Sequence, residues 1–255
     1  MKLLISMLFL VAAVVNASSQ VTECDAAAAK LNEIQDRLKD WPQLHRYKEE
    51  NAKIAPARSD EERIVFIGDS ITDLWDNPGF GGFFPGRRYV NRGISGQTTP
   101  QMLLRFRQDV VELRPKAVVI LAGTNDIAGN TGPMTLEEIG RNIASMAELA
   151  RANGIKVILS SVLPVSDTVP KEGGGHFIRT ASRPPAKIIE LNRWLREYAT
   201  KNGHTYLDYY SEMADPHDFV KAGLTYDGLH PNSTGYKMMT EMAARSIERA
   251  LRKRK

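Results

Sequence analysis

Cys24 is the single cysteine in this chain of 255 residues. One cysteine excludes an internal disulfide framework and any zinc site built on thiolates. Excess charge of one sign is scarce as well: 34 basic residues against 30 acidic ones leave a net of +4. Arg252, Lys253 and Lys255 concentrate that excess at the C-terminus, which reads as a solvated end and not as a nucleic-acid surface. Aromatic residues make up only 7%, while 42% hydrophobic and 25% charged residues give an ordinary globular balance. That balance excludes disordered and fibrous classes. A mean hydropathy of −0.32 excludes a polytopic membrane protein. The length fits one large α/β domain with an appendage.

Long apolar runs are missing too, except at the N-terminus. Met1 and Lys2 precede an apolar stretch from Leu3 to Val15 broken only by Ser6, and Val15-Asn16-Ala17 supplies small residues at the −3 and −1 places of a cleavage site. About 13 apolar residues are too few to span a bilayer, which takes roughly 20, so residues 1–17 read as a secretory signal peptide. A lipid-anchored reading needs a small residue before Cys24, and Glu23 stands there. The mature chain is expected to start near Ser18, to be secreted or periplasmic, and to keep no integral membrane span. Cys24 is then free or paired between chains.

Residues 18–60 read as a helical N-terminal extension and 61–255 as the main domain. In the extension Ala29, Leu31, Ile34 and Leu38 fall at helical spacing, Pro42 divides the segment and Pro56 ends it. Beyond Asp60, short apolar runs alternate with amphipathic stretches. Ile64-Val65-Phe66-Ile67 and Val118-Val119-Ile120-Leu121 are continuous apolar runs, as in strands buried on both faces, and Ile155 to Leu163 is a third. Tyr89-Val90 and Tyr206-Leu207 are weaker strand candidates. Between them, Thr99 with Pro100 opens a helix carrying Leu103, Phe106 and Val110, and Thr135 with Glu138 has capping-box spacing. Ile188, Leu191 and Leu195 make a third stripe, and Tyr236, Met239 and Met242 begin a fourth. This alternation predicts a three-layer α/β/α, flavodoxin-like doubly wound parallel sheet of about five strands. Ligands in such folds sit at the carboxyl ends of the strands.

The polar residues that follow the strands are therefore the informative ones. Gly68-Asp69-Ser70-Ile71 follows the first run, Asn91 to Thr99 the second, and Gly123-Thr124-Asn125-Asp126 the third, while Asp227-Gly228-Leu229-His230-Pro231 precedes the last helix. Acyl transfer needs a nucleophile, a base, a group that orients the base, and donors for the oxyanion. Ser70, at the mouth of a strand, can be the nucleophile and His230 its base. Pro231 keeps His230 out of helical backbone angles, so Asp227, three residues earlier, can reach back to the imidazole Nδ1. The Asn125 side chain and the backbone N–H groups of Ser70 and Gly96 can supply an oxyanion hole. Asp69 and Asp126 read as turn-fixing residues. His45, His204 and His217 read as surface or core residues, and His176, in a Gly-rich loop, has a lesser claim on substrate.

These blocks resemble the SGNH (GDSL) hydrolase superfamily over roughly residues 62–250. The order and wording of the blocks look closest to its acetylhydrolase-like and bacterial acylhydrolase members. The resemblance implies Ser70, Asp227 and His230 as catalytic residues. It implies Ser70, Gly96 and Asn125 as the oxyanion hole, with Gly93 the weaker candidate for the glycine. It implies neither metal nor organic cofactor. Ile71 departs from the leucine of the family name, a volume-conserving change, and the extension lies outside the family pattern.

Read this way, the chain is a secreted serine esterase acting on short acyl groups, acetyl above all, with a saccharide ester or another small-molecule ester as substrate. The stretch from Trp75 to Arg87 mixes aromatic faces with hydrogen-bonding groups, which suits either a sugar ring or simple packing of the loop. Alternatives are a lysophospholipase or acetylhydrolase acting on lipids, an inactive adaptor, and a flavodoxin-like module that binds a ligand without catalysis. The last gives no reason for the Asp227–His230 spacing. The sequence leaves the oligomeric state open.

Overall fold

The computed structural model describes residues 25–36, 38–58 and 61–252. The leader, its cleavage site and Cys24 lie outside the described residues. The chain divides after Gln43 into two compact units. In the first, residues 25–36 are helical, in keeping with the spacing of the apolar positions there.

The second unit begins at Leu44, well before the boundary at residue 60 that the sequence suggests. Side-chain hydrogen bonds account for the difference. Tyr47 donates its hydroxyl to the Gly93 carbonyl. Asn51, in helix α1 (Lys48–Lys53), donates to Asp109 at 2.8 Å and accepts from Arg92 at 2.7 and 2.9 Å. These contacts run through Asn, Tyr and Arg side chains.

The sheet has five parallel strands: β1 (Ile64–Gly68), β2 (Tyr89–Gly93), β3 (Ala117–Leu121), β4 (Lys156–Ser160) and β5 (Thr205–Leu207), in the order β2-β1-β3-β4-β5. Every residue of β1 and β3 is buried, and their side chains alternate between two cores. Val65, Ile67, Val118 and Ile120 face Met102, Ile143 and Leu191. Those three lie on helices α3 (Thr99–Phe106), α5 (Leu136–Ala152) and α6 (Pro185–Asn202). Ile64, Phe66, Val119 and Leu121 face the other core, with Met213 of the short helix α7 (Tyr209–Met213) and Tyr236, Met239 and Ile247 of helix α8 (Ser233–Leu251). Burial on both faces is why these strands read as continuous apolar runs.

One boundary shifts by a residue. Thr98, not Thr99, is the N-cap of α3, and the Gln101 side chain reaches back to its N–H at 3.1 Å. Thr99 is engaged elsewhere, donating its N–H and hydroxyl to Asp126 at 2.9 and 2.5 Å. Past Phe106 the helix widens into a π-turn, Arg107–Val111.

Arg105 of α3 is fully buried and ties the strand ends together. It donates to the Gly68 carbonyl at 3.0 Å, the Arg92 carbonyl at 2.9 Å, Gln97 Oε1 at 2.6 Å and Asp109 Oδ2 at 3.1 Å. A guanidinium offers five donors in a rigid fork, and here it fixes the end of β1 relative to β2 and the loop beyond it. All that follows sits on that edge.

Candidate active site

At the end of β1 the chain turns into the short helix α2 (Ser70–Asp73), capped by Asp69, whose Oδ1 accepts the Ile71 N–H at 2.9 Å. Ser70 is thereby the first helical residue, and it is partly exposed at the carboxyl edge of the sheet. Among the described residues no protein acceptor takes its N–H, as expected for the first turn of a helix.

The loop before α8 brings His230 to it. Ser70 Oγ lies 3.0 Å from His230 Nε2, and His230 Nδ1 lies 2.8 Å from Asp227 Oδ2. The other carboxylate oxygen of Asp227 accepts the backbone N–H groups of Leu229 and His230 at 3.0 and 2.7 Å, which shapes the turn. Gly228 is required there: its φ is +81°, and a Cβ would lie 2.2 Å from the Ser166 carbonyl. Burial pushes the Asp227 carboxyl up, but hydrogen bonds from the His230 ring and backbone outweigh it and bring it down to about 2. An ionised carboxylate only accepts hydrogen bonds. His230 therefore carries its proton on Nδ1 and presents the Nε2 lone pair to the Ser70 hydroxyl.

Asn125 and Gly96 stand on the same edge. Asn125, buried in helix α4 (Thr124–Ile127), donates to the Gln97 carbonyl at 3.1 Å and accepts from Arg183 Nη2 at 3.1 Å. One amide N–H is used by Gln97 and the second is left to donate. Gly96 occupies the left-handed region at φ +80°, with open space where a side chain would be. Its N–H has no protein acceptor among the described residues, while its carbonyl is held by Asn130 at 3.2 Å. Asp73 of α2 accepts from the N–H and the hydroxyl of Ser95 at 3.0 and 2.6 Å, so the Gly96 loop is pinned to the helix that begins at Ser70.

The two aspartates read as turn-fixing sit in such places, Asp69 as the α2 cap and Asp126 as the acceptor for Thr99. Burial raises the Asp69 carboxyl to about 6. Its Oδ2 has no hydrogen-bond partner among the described residues. His176 lies on an exposed turn bridged to Pro170. Among the described residues there is no group of three His, Cys, Asp or Glu side chains able to hold a metal ion, and no helix is long and apolar enough to cross a membrane.

The aromatic stretch after Ser70 behaves differently from the sugar-binding reading. Trp75 is 1% exposed and Phe84 is 5% exposed, and both pack on Phe66 of β1 together with Phe83. Their apolar surface is spent on the core. Phe80 packs on Tyr236 and also lies nearly parallel to Tyr226 at 6.0 Å, and Tyr226 lies nearly parallel to the His230 imidazole at 5.7 Å. Tyr226 remains 46% exposed.

Sequence reading also missed two arginines of the polar connection between β4 and α6. Arg179 donates to Asp227 Oδ2 at 2.5 Å and to its backbone carbonyl at 3.0 Å, and Arg183 reaches Asn125. No spacing relates these arginines to the blocks they serve, so only the fold reveals them.

Known proteins share this arrangement of elements. The GDSL-like lipase/acylhydrolase family matches residues 66–238. The chain belongs to that family. A GDSL-like lipase of Bacteroides thetaiotaomicron is 43% identical, covering 82% of this chain and 99% of that one with a TM-score of 0.73. Human platelet-activating factor acetylhydrolase IB subunit alpha1 is 30% identical over 228 residues, 82% of this chain and 84% of the relative. An acetylxylan esterase of Geobacillus stearothermophilus is 35% identical over 88 residues, 26% of this chain and 40% of the relative. The match spans less than half the length of two further bacterial relatives, a Bacillus subtilis lipoprotein and a Pseudomonas aeruginosa esterase.

Proposed function

We propose that this GDSL-family chain is a serine esterase that removes short acyl groups, acetyl above all, through an acyl-enzyme intermediate. The observation that carries the reading is the hydrogen-bonded chain from Ser70 Oγ through His230 to Asp227, at 3.0 and 2.8 Å. Ser70 Oγ attacks the ester carbonyl while its proton passes to His230 Nε2, and Asp227 stabilises the imidazolium so formed. The negative charge that develops on the carbonyl oxygen is met by the N–H groups of Ser70 and Gly96 and the Asn125 amide. Collapse of the tetrahedral species breaks the bond to the alcohol, which takes the proton from His230. Water then attacks the acyl-Ser70 ester with His230 as base, releasing the acid and restoring the serine hydroxyl.

The substrate we favour is an acyl group on a saccharide, met outside the cytoplasm. Tyr226 supports it, as a ring 46% exposed beside the imidazole that protonates the leaving alcohol. The polar connection from Asp167 to Arg183 offers no shelter to a long acyl chain, and the acetylxylan esterase among the relatives acts, by its name, on such an ester. Export rests on the N-terminal residues. A lipid acetyl ester is the second reading, favoured by the longer match to the acetylhydrolase subunit.

The test is kcat/KM for p-nitrophenyl esters from C2 to C16, beside acetylated xylan and a lysophospholipid, with Ser70→Ala as control. A maximum at C2 to C4, with Ser70-dependent acetate release from xylan, is expected. A maximum beyond C8 overturns the short-acyl reading, and hydrolysis retained by Ser70→Ala overturns the nucleophile.

A further inference from the structure

We infer that Arg179 and Arg183, both on the connection between β4 and α6, are positioning residues for the two halves of the site, Arg179 for the Asp227–His230 pair and Arg183 for the Asn125 donor. The inference rests on the esterase reading above.

The connection is built to present them. The Asp167 carboxylate accepts the N–H of Arg179 at 2.5 Å, the N–H of Thr180 at 2.9 Å and the Thr180 hydroxyl at 2.5 Å, closing the segment on itself. Ser166 donates its N–H to the Gly228 carbonyl at 2.9 Å, seating the segment on the Asp227 turn. The Arg179 guanidinium packs over the Phe177 ring at 5.1 Å. From there it grips Asp227 twice, through Oδ2 and through the backbone carbonyl.

That grip has two opposed effects. Oδ2 is the oxygen that takes His230 Nδ1, so a planar fork anchored at two points holds the carboxylate in the plane the imidazole needs. The cation also offsets part of the Asp227 charge that faces the imidazole. The charged groups around His230 are Asp227, Arg179, the buried Asp69 and Arg183, with the uncharged Tyr226 ring on one face. Loss of the Arg179 charge alone leaves the balance more negative.

Arg183 does a different task. It is largely buried, its Nε on Thr124 Oγ1 and its Nη2 on Asn125 Oδ1, both at 3.1 Å. A cationic donor on the amide oxygen fixes which end of Asn125 is the donor and polarises its N–H groups toward the developing oxyanion.

The experiment uses the full chain carrying Arg179→Met, Arg179→Lys, Arg183→Met, or Arg183→Met with Asn125→Ala. Three quantities are read: kcat and KM for p-nitrophenyl acetate from pH 5 to 9, thermal midpoints, and the His230 ring titration by NMR on histidine-labelled protein. Arg179→Met is expected to lower plateau kcat by about tenfold and to move both the acid limb and the NMR midpoint up by roughly 0.5–1 pH unit. Arg179→Lys, which keeps the charge but not the fork, should hold the limb in place while kcat recovers only in part. Arg183→Met should lower kcat by about 10- to 100-fold with KM unmoved, and should move the limb less than Arg179→Met, because Arg183 does not touch Asp227. The double variant should be no worse than Asn125→Ala alone.

An unmoved limb and NMR midpoint in Arg179→Met overturn the Arg179 role, as does loss of activity that follows only the thermal midpoint. Additive losses in the double variant overturn the Arg183 role. Should the wild type show no Ser70-dependent turnover, the esterase reading itself fails, and the NMR titration still decides whether Arg179 sets the state of the pair. If Arg179→Met does not fold, the Lys variant and Arg179→Gln carry the same comparison.

Discussion

Ser70 and His230 stand 160 positions apart in the chain, yet Ser70 Oγ is 3.0 Å from His230 Nε2. On the proposed mechanism the two side chains act as one device, since a hydroxyl is a poor nucleophile without a base to take its proton. Ser70→Ala and His230→Ala are each expected to lower kcat by about 10⁶, and the double variant is expected to lose no more than either single one. Single-turnover kinetics with p-nitrophenyl acetate decides the matter. More than a few per cent of wild-type turnover in Ser70→Ala would sink the assignment.

The Asn125 amide has one N–H engaged by the Gln97 carbonyl and its oxygen engaged by Arg183. What it has left to give matters most when charge develops on the substrate oxygen. Asn125→Ala should lower kcat by roughly 10²–10³ with KM nearly unchanged. A raised KM at normal kcat would instead mark Asn125 as a contact to bound substrate.

Which parts of this arrangement were legible in sequence follows from what each part depends on. The strands of the central sheet are apolar on both faces, so Ile64 to Ile67 and Val118 to Leu121 announced themselves. Ser70, Asn125, Asp227 and His230 lie beside turn residues whose local chemistry is visible in a few letters. Arg105, Arg179 and Arg183 act across the fold, and nothing in their neighbours marks them. The Trp75–Phe84 aromatics stayed open between a sugar ring and loop packing for the opposite reason: composition counts faces, and only packing says which faces are covered. Tyr226 stands one residue before the Asp227–Pro231 block, which was read only from Asp227 onward.

Arg105 and Asp109 form a fully buried ion pair beneath the site. Removing one partner leaves the other charge uncompensated, a change that costs about 3–5 kcal/mol. Arg105→Met should therefore lose about that much stability in urea unfolding at unchanged m-value, and take activity with it as the β1 and β2 ends lose their common anchor. A loss below 1 kcal/mol would show that the pair contributes little. Arg105→Met with Asp109→Leu should recover part of the stability, since it removes both charges.

Asp69 is buried with one oxygen unpaired, and burial raises it from the ordinary 3.8 to about 6. Between those values the folded protein holds a proton that the unfolded chain has released, so stability falls as pH rises through that window, by up to about 3 kcal/mol. Asp227 works in the opposite direction but lower down, its contribution being lost as pH falls from about 4 towards about 2. Asp69→Asn keeps an oxygen for the Ile71 N–H and removes the titration. Its stability relative to wild type should increase from pH 4 to pH 7 in denaturant titrations. Parallel curves for the two proteins would refute the buried-carboxylate account.

On the proposed saccharide reading, Tyr226 is the residue expected to separate sugar from simple alkyl leaving groups. Its ring lies nearly parallel to the His230 imidazole and has Phe80 behind it. The leaving oxygen must approach His230 Nε2 to be protonated, so the first ring of a sugar alcohol would pass over or beside the tyrosine face. If the sugar contact is taken to be about as strong as an aromatic pair, about 0.5–1.5 kcal/mol, it contributes roughly 2- to 12-fold in rate. Tyr226→Ala should lower kcat/KM for acetylated xylo-oligosaccharide by that factor while leaving ethyl acetate, which has no ring to place, nearly unchanged. Tyr226→Phe should behave like wild type if the face and not the hydroxyl is used. Equal losses on both esters would mean that Tyr226 acts only through His230, and the case for a sugar at this site would lose its structural support.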